Sequence, residues 1–371
     1  MRPRSICSVA AALALALSAG AVTLFAQVPI TTTPPDQLSE AQLELKPTAE
    51  NVPDIPYEVV PDFLKMPPNH YMGEGIGVDT NSEGHIFVNT CAQQTRNFEF
   101  DENGNYIREI GKDSYGHVFC HGIRVDAEDN IWVIDEGSNT IIKYNPEGRV
   151  EMVLGRRPQF PLLGLEPPLD GFDNAEDTPR YIFNRPTDVA FDAEGNIFVA
   201  DGYRNSRVVK YDRNGKFITQ AGKRGSGNGV EFTLLHAIVV DDDGNVYVGS
   251  RSDQRIVVLD NDLNFKAVYD QFGAPWSLCI TPGPGTQYLY TSNSNPDSQN
   301  SPLHEVTGQI FKLELDGTPV GKFGVPGKEQ GQFGTVHGIA CKEENVIYTT
   351  EITQWRLQKF ILHPTASQGG N

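Results

Sequence analysis

The fourteen residues DVAFDAEGNIFVAD, from Asp188 to Asp201, decide the fold. They read as an apolar strand, an acidic residue, a Gly-Asn turn, then a second strand rich in β-branched and aromatic residues. That is the grammar of a short antiparallel hairpin. The phrase returns along the chain as GIGVDTNSEGHIFVN from Gly75, GIRVDAEDNIWVID from Gly122 and AIVVDDDGNVYVGS from Ala237. Weaker copies are SLCITPGPGTQYLYTS from Ser277 and GIACKEENVIYTTE from Gly338, which makes six.

Equivalent apolar residues in the six copies are Ile86, Ile131, Ile197, Val246, Tyr288 and Val346, at spacings of 45, 66, 49, 42 and 58. The two long intervals hold a Pro-rich insertion over residues 156–186 and a polar one over 293–308. Most copies continue into a third strand and a turn to a fourth, as in KYNPEGRVEMVLG, KYDRNGKFITQAG, VLDNDLNFKAVYD and KLELDGTPVGKFG. Four short antiparallel strands every 45 residues or so are one blade of a β-propeller. The last copy ends at WRLQKFILHP with three strands, and YEVVPDFL at residues 57–64 is expected to supply its outer strand. The sequence therefore predicts an all-β, six-bladed propeller over residues 53–364, its ring closed by an N-terminal strand. Helix signals are weak throughout.

The ends read differently. Arg2 and Arg4 precede an apolar run, the grammar of a signal peptide over residues 1–26, with cleavage after Ala21 or Ala26. An uncleaved membrane anchor is the competing reading, since the run is near the lower spanning limit. Residues 27–52 are Pro/Thr-rich and read as a solvated linker, and 365–371 as a flexible tail. Export to the periplasm or the extracellular space is expected, with no stable membrane insertion once the signal is gone. The chain of 371 residues has 30 Lys+Arg against 48 Asp+Glu, a net charge of -18, which becomes -20 without the two early arginines. Such a balance argues against a nucleic-acid backbone or an anionic lipid surface as partner. It favours a monomer acting on a small-molecule or peptide substrate.

Four cysteines remain after export, Cys91, Cys120, Cys279 and Cys341. An even number in an oxidising compartment permits one or two disulfides, in any of three full pairings, and buried free thiols are the alternative.

In a propeller the innermost strand of each blade lines the axis, so one position can be compared around the ring. Counting five residues before the turn acid gives Glu74, His121, Thr187 and His236, and the matching residues of the last two copies are Trp276 and His337. Histidine thus occupies copies two, four and six. Alternate blades lie about 120° apart, so the three imidazoles should converge on the axis, a ligand set that suits Zn²⁺ better than a hard cation. His70, His85, His117, His304 and His363 fall off this register. A second set of residues follows the second strand: Asp135-Glu136, Asp201-Gly202-Tyr203, Ser250-Arg251 and Thr350-Glu351. There Tyr203 suits a general base and Arg251 a carboxylate anchor. Glu136 and Glu351 suit metal ligation, support of an imidazole N–H, or base catalysis. Asp135 and Asp201 read as blade-corner residues that bond backbone amides.

These repeats resemble NHL repeats, and the constellation resembles the peptidyl-α-hydroxyglycine α-amidating lyase family. The resemblance rests on RPTDVAFDAEGNIFVADGYRNSRVVKYDRNGKFITQAG from Arg185, FCHGIRVD from Phe119, LLHAIVVDDDGNVYVGSRSDQRI from Leu234 and TVHGIAC from Thr335, and covers residues 70–360. It implies zinc on His121, His236 and His337, an active-site Tyr203, a substrate-orienting Arg251, and cleavage of a peptidyl-α-hydroxyglycine into an amide and glyoxylate. The chain departs from the family in several places. Asn89–Cys91 stand where a substrate arginine is expected, leaving Arg96 as the replacement. Gly338 replaces the aspartate that would help hold calcium, and Arg204 replaces a half-cystine beside the tyrosine. Glu136 and Glu351 add negative charge near the axis. A lyase or hydrolase with another small substrate, or a non-catalytic propeller that binds a protein or glycan, are therefore the alternatives.

Overall fold

The computed structural model describes residues 47–92, 94–157, 171–227, 229–294 and 307–363. The expected signal segment and tail lie outside them, and among the described residues no helix is long and apolar enough to cross a membrane. After an edge strand β1 (Tyr57–Val60), the first blade is β2 (Glu74–Thr80), β3 (Ile86–Cys91), β4 (Thr95–Phe100) and β5 (Tyr106–Ile110). The second is β6 (Cys120–Val125), β7 (Ile131–Asp135), β8 (Thr140–Tyr144) and β9 (Val150–Gly155). The third is β10 (Asp188–Phe191), β11 (Ile197–Asp201), β12 (Arg207–Tyr211) and β13 (Phe217–Ala221). The fourth is β14 (Leu235–Val240), β15 (Val246–Ser250), β16 (Arg255–Leu259) and β17 (Phe265–Tyr269). The fifth is β18 (Pro275–Ile280), β19 (Tyr288–Asn293), β20 (Gln309–Glu314) and β21 (Pro319–Phe323). A two-residue parallel pair, β22 (Val325–Pro326) and β23 (Gln332–Phe333), leads into the sixth, made of β24 (Val336–Glu343), β25 (Val346–Glu351) and β26 (Arg356–Leu362).

Every blade is an antiparallel four-stranded sheet in sequence order, except the sixth, whose order is β1-β26-β25-β24. The terminal strand joins through Tyr57↔Leu362 to Val60↔Lys359, as the sequence predicts. Thr48 and Ala49 donate backbone N–H to the Gln271 carbonyl, and Ala49 and Val52 pack against the core between blades four and five.

Many of the hairpins form where the sequence places an acid or Asn ahead of Gly. Asp192 Oδ1 accepts the N–H groups of Glu194 and Asn196, which tightens a turn whose Gly195 sits at φ +80°. That left-handed conformation suits glycine because no Cβ clashes. Between blades the middle strands bury alternating apolar side chains. Ile197, Val199 and Val209 from blade three meet Trp132, Ile134 and Ile141 from blade two. Two disulfides, Cys91–Cys120 and Cys279–Cys341, each tie adjacent blades together and fit an oxidising compartment.

Candidate metal centre

The innermost strands share a defect that serves the axis. Their pairing slips between Gly75 and Gly77, Cys120 and Gly122, Leu235 and Ala237, Pro275 and Leu278, and Val336 and Gly338. A β-bulge leaves one residue out of the ladder and re-aims its side chain. The bulged residues are Ile76, His121, His236, Trp276 with Ser277, and His337. The ladder corrects the register count in the first blade, where Ile76, not Glu74, is equivalent to the histidines. The turn there is built on Asn81, whose Oδ1 accepts the N–H groups of Glu83 and His85, so Asp79 was the wrong origin for counting.

The three imidazoles meet on the axis with ring centroids 4.8, 4.9 and 4.6 Å apart, and one nitrogen from each lies within 4.8 Å of the other two. Each Nδ1 donates to a carbonyl of the next blade: His121 to Thr187 at 2.6 Å, His236 to Trp276 at 2.6 Å and His337 to Ile76 at 2.9 Å. This fixes the tautomer and leaves each Nε2 lone pair facing the axis, which is what a metal-binding histidine requires. Burial, the largest influence, pushes all three imidazoles well toward the neutral form, helped by the Arg251 charge and, for His121 and His236, by neighbouring histidine. His337 is pushed down to about 4. Three buried neutral nitrogen donors with no acid among them fit a borderline divalent ion such as zinc.

Tyr203 stands over this triad, its hydroxyl 3.2 Å from His121 Nε2 and 3.5 Å from His236 Nε2. The Arg251 guanidinium stacks 4.1 Å from the Trp276 ring centroid and 5.7 Å from that of Tyr203, and its buried Nη1 has no hydrogen-bond partner. Glu136 is buried too, with Oε2 unpartnered, and Arg185 and Arg251 are its cationic neighbours. The opposite wall is apolar, built from Ile76, the Cys91–Cys120 pair and Ile352.

Two expected site residues lie elsewhere. Glu351 pairs in the ladder as Asp135 does, because β24 carries a second irregularity after Ala340, and it is a blade-corner residue. Its oxygens accept from Arg356 Nε, Gln358 Nε2 and the Gly334 N–H at 2.7, 2.9 and 2.8 Å, so nothing remains for a ligand. Asp135 and Asp201 do cap backbone amides at their corners, taking Val118 and Ser138, and Asn184, respectively. Arg96 is drawn outward into a bidentate pair with Glu109 at 2.9 and 2.6 Å, and in the first blade Asn89 bonds Asn97 instead. The residue the sequence did not disclose is Arg185. It sits exposed at φ +60°, its N–H donates to Asn139 Oδ1, and its carbonyl accepts the Tyr203 N–H. In the sequence it stands two residues before Thr187, as Phe119 and Leu234 stand before His121 and His236, and only its charge sets it apart.

Beyond the imidazoles the channel holds Arg124 paired with Asp188 at 2.8 and 2.6 Å, and Lys342 bonded to Asp79 at 3.0 Å. Gly338 contributes no side chain, and both channel carboxylates already have cations. A hard ion such as calcium finds no free carboxylate among these groups.

The fold and centre thus define a six-bladed β-propeller with three histidines converging on its axis. Residues 180–312 match the family DUF5128, described as a 6-bladed beta-propeller. The chain is 30% identical over 264 residues to "Peptidyl-glycine alpha-amidating monooxygenase A" of Xenopus laevis, a match covering 68% of this chain and 25% of that protein. It is 28% identical over 260 residues to "Peptidyl-alpha-hydroxyglycine alpha-amidating lyase 1" of Drosophila melanogaster, covering 65% and 44%. The similarity extends to NHL-repeat proteins. The chain therefore spans less than half the length of these two curated relatives. Among solved structures, a streptogramin B lyase superimposes with a TM-score of 0.52 at 15% identity, covering 84% of this chain and 98% of that one, a likeness of fold.

Proposed function

We propose that this chain is an exported, zinc-dependent lyase that splits an N-acylated α-hydroxyglycine at its C–N bond, giving an amide and glyoxylate. The observation that carries the reading is the convergence of three neutral Nε2 atoms beneath the Tyr203 hydroxyl, 3.2 Å from the nearest of them. His121, His236 and His337 would hold the ion, which when bound supplies Lewis-acid polarisation of the substrate oxygen. Arg251, flattened on Trp276 with a free N–H edge, is shaped to grip the substrate carboxylate. Tyr203 then lies where it can take the α-hydroxyl proton. The two disulfides support an exported life.

A second reading keeps the centre but changes the small substrate. It is favoured by Arg96, whose engagement with Glu109 leaves the first blade without a cation at the axis. Elemental analysis of purified protein, beside a glyoxylate-release assay on N-benzoyl-α-hydroxyglycine, tests both. About one zinc per chain, lost in His121→Ala together with glyoxylate release, is the expected result. Zinc without release selects the second reading, and absence of metal in a folded protein overturns the lyase.

A further inference from the structure

Of the buried acids around the channel mouth, Glu136 alone has no structural task. Asp135, Asp201 and Glu351 each cap backbone amides or hold an arginine. Glu136 is the next residue along, equivalent in the ladder to Arg251 two blades away, and its buried Oε2 meets no donor. A buried carboxyl oxygen without a partner costs free energy that the fold does not recover, which points to a ligand. The charged groups around it are Arg185 from the connection into blade three, Asp135 on its own strand, and Arg251 from blade four. Arg251 is the link to the centre, since it packs over Tyr203 and Trp276 and its charge reaches all three imidazoles.

The proposed cleavage needs a second proton transfer that Tyr203 cannot make at the same moment. As the α-hydroxyl gives its proton to Tyr203, which enters the step as the phenolate, its oxygen forms the new C=O and the C–N electron pair retreats onto nitrogen. An amide anion is a poor leaving group, so that nitrogen must be protonated as the bond breaks. Building on the lyase reading, we propose that Glu136 is the general acid that delivers a proton from Oε2 to the departing amide nitrogen. Glu136 takes a proton back from solvent, Tyr203 releases one, and nothing is oxidised or reduced. The protonation state suits the task. Burial, the largest influence, raises the Glu136 carboxyl to about 7, Asp135 adds to the rise, and Arg185 and Arg251 oppose it. Glu109 and Glu231, by contrast, are held down by hydrogen bonds from Arg96 and Lys223.

The test compares wild type and Glu136→Gln, which keeps the shape, on N-benzoyl- and N-trifluoroacetyl-α-hydroxyglycine. The second substrate leaves as a far less basic amide. Loss of kcat with the benzoyl substrate by roughly 10²-fold or more is expected, the range for general acid catalysis. The loss should shrink at least about tenfold with the trifluoroacetyl substrate, and the fall in wild-type kcat above about pH 7 should vanish in the variant. Equal losses on both substrates, or an unchanged pH limb, overturn the assignment while leaving the lyase reading intact. Absence of glyoxylate from either substrate with wild type sinks the lyase reading and this inference together. Carbon-13 carboxyl NMR checks the group apart from turnover. One carboxyl should titrate near neutrality and disappear in Glu136→Gln, and no carboxyl titrating above about pH 6 overturns the assignment.

Discussion

The two ends of the axial channel are built from the same strands and solve opposite problems. At one end Arg124 meets Asp188, and Lys342 meets Asp79, so each buried carboxylate has its counter-charge. At the other, three imidazoles turn lone pairs toward the axis, and Arg251 Nη1 and Glu136 Oε2 make no hydrogen bond within the protein. These pairs join blade two to blade three and blade six to blade one. Buried polar atoms without a protein partner are costly to the fold, which is why the proposed function is placed at this end.

Acid should separate the two ends most sharply. The imidazoles have folded-state affinities for protons below their unfolded value of 6.5, so the stability tied to their neutral form is complete above that pH. It is lost as pH falls from 6.5 toward about 4. In metal-chelated protein the expected loss is about 2 kcal/mol from His337 alone, with His121 and His236 adding to it, read from urea unfolding at pH 7 and pH 4.5. Flat stability across this window would mean that the triad is more open to water than its burial suggests. Arg124→Met should cost about 2–3 kcal/mol by the same measure, since it strands a buried Asp188 that retains only backbone donors from Val189 and Ile238. Metal content should be unchanged, and zinc lost along with stability would show the ends to be coupled. Arg96→Ala is the smallest of the three. Its pair with Glu109 lies far from the axis with the guanidinium part-exposed, and less than about 1 kcal/mol is expected, with turnover untouched. A large loss of turnover would return Arg96 to the site.

The sequence disclosed more of the ring than of its mouth, for a physical reason. Hairpin turns, strand alternation and the closing strand are local patterns, and they carried the six blades. His121, His236 and His337 were legible because a repeat makes one position comparable around the axis. The errors came where the repeat is irregular. Asn81 does the work of an aspartate in the first turn, which moved Glu74 into the place of Ile76. The extra irregularity in β24 moved Glu351 from a corner to the mouth. Arg185 stands two residues before the axial position, as Phe119, Leu234 and Thr335 do, and each of their carbonyls accepts an N–H just past the second strand, so the repeat encodes its backbone place but not the charge it carries there.

The pairing of β1 with β26 has a consequence for how the molecule comes apart. An open row of repeats frays from its outer units, because an end unit has one neighbour and an inner unit has two. A closed hoop has no outer unit, so each blade is as hard to open as any other. Amide hydrogens of the inner strands should then exchange through one concerted opening and not blade by blade. Any ion gripped by histidines from alternate blades would deepen protection around the whole circumference at once. The four residues Tyr57–Val60, a part-exposed strand at the rim, thus act as the latch for a centre they never touch.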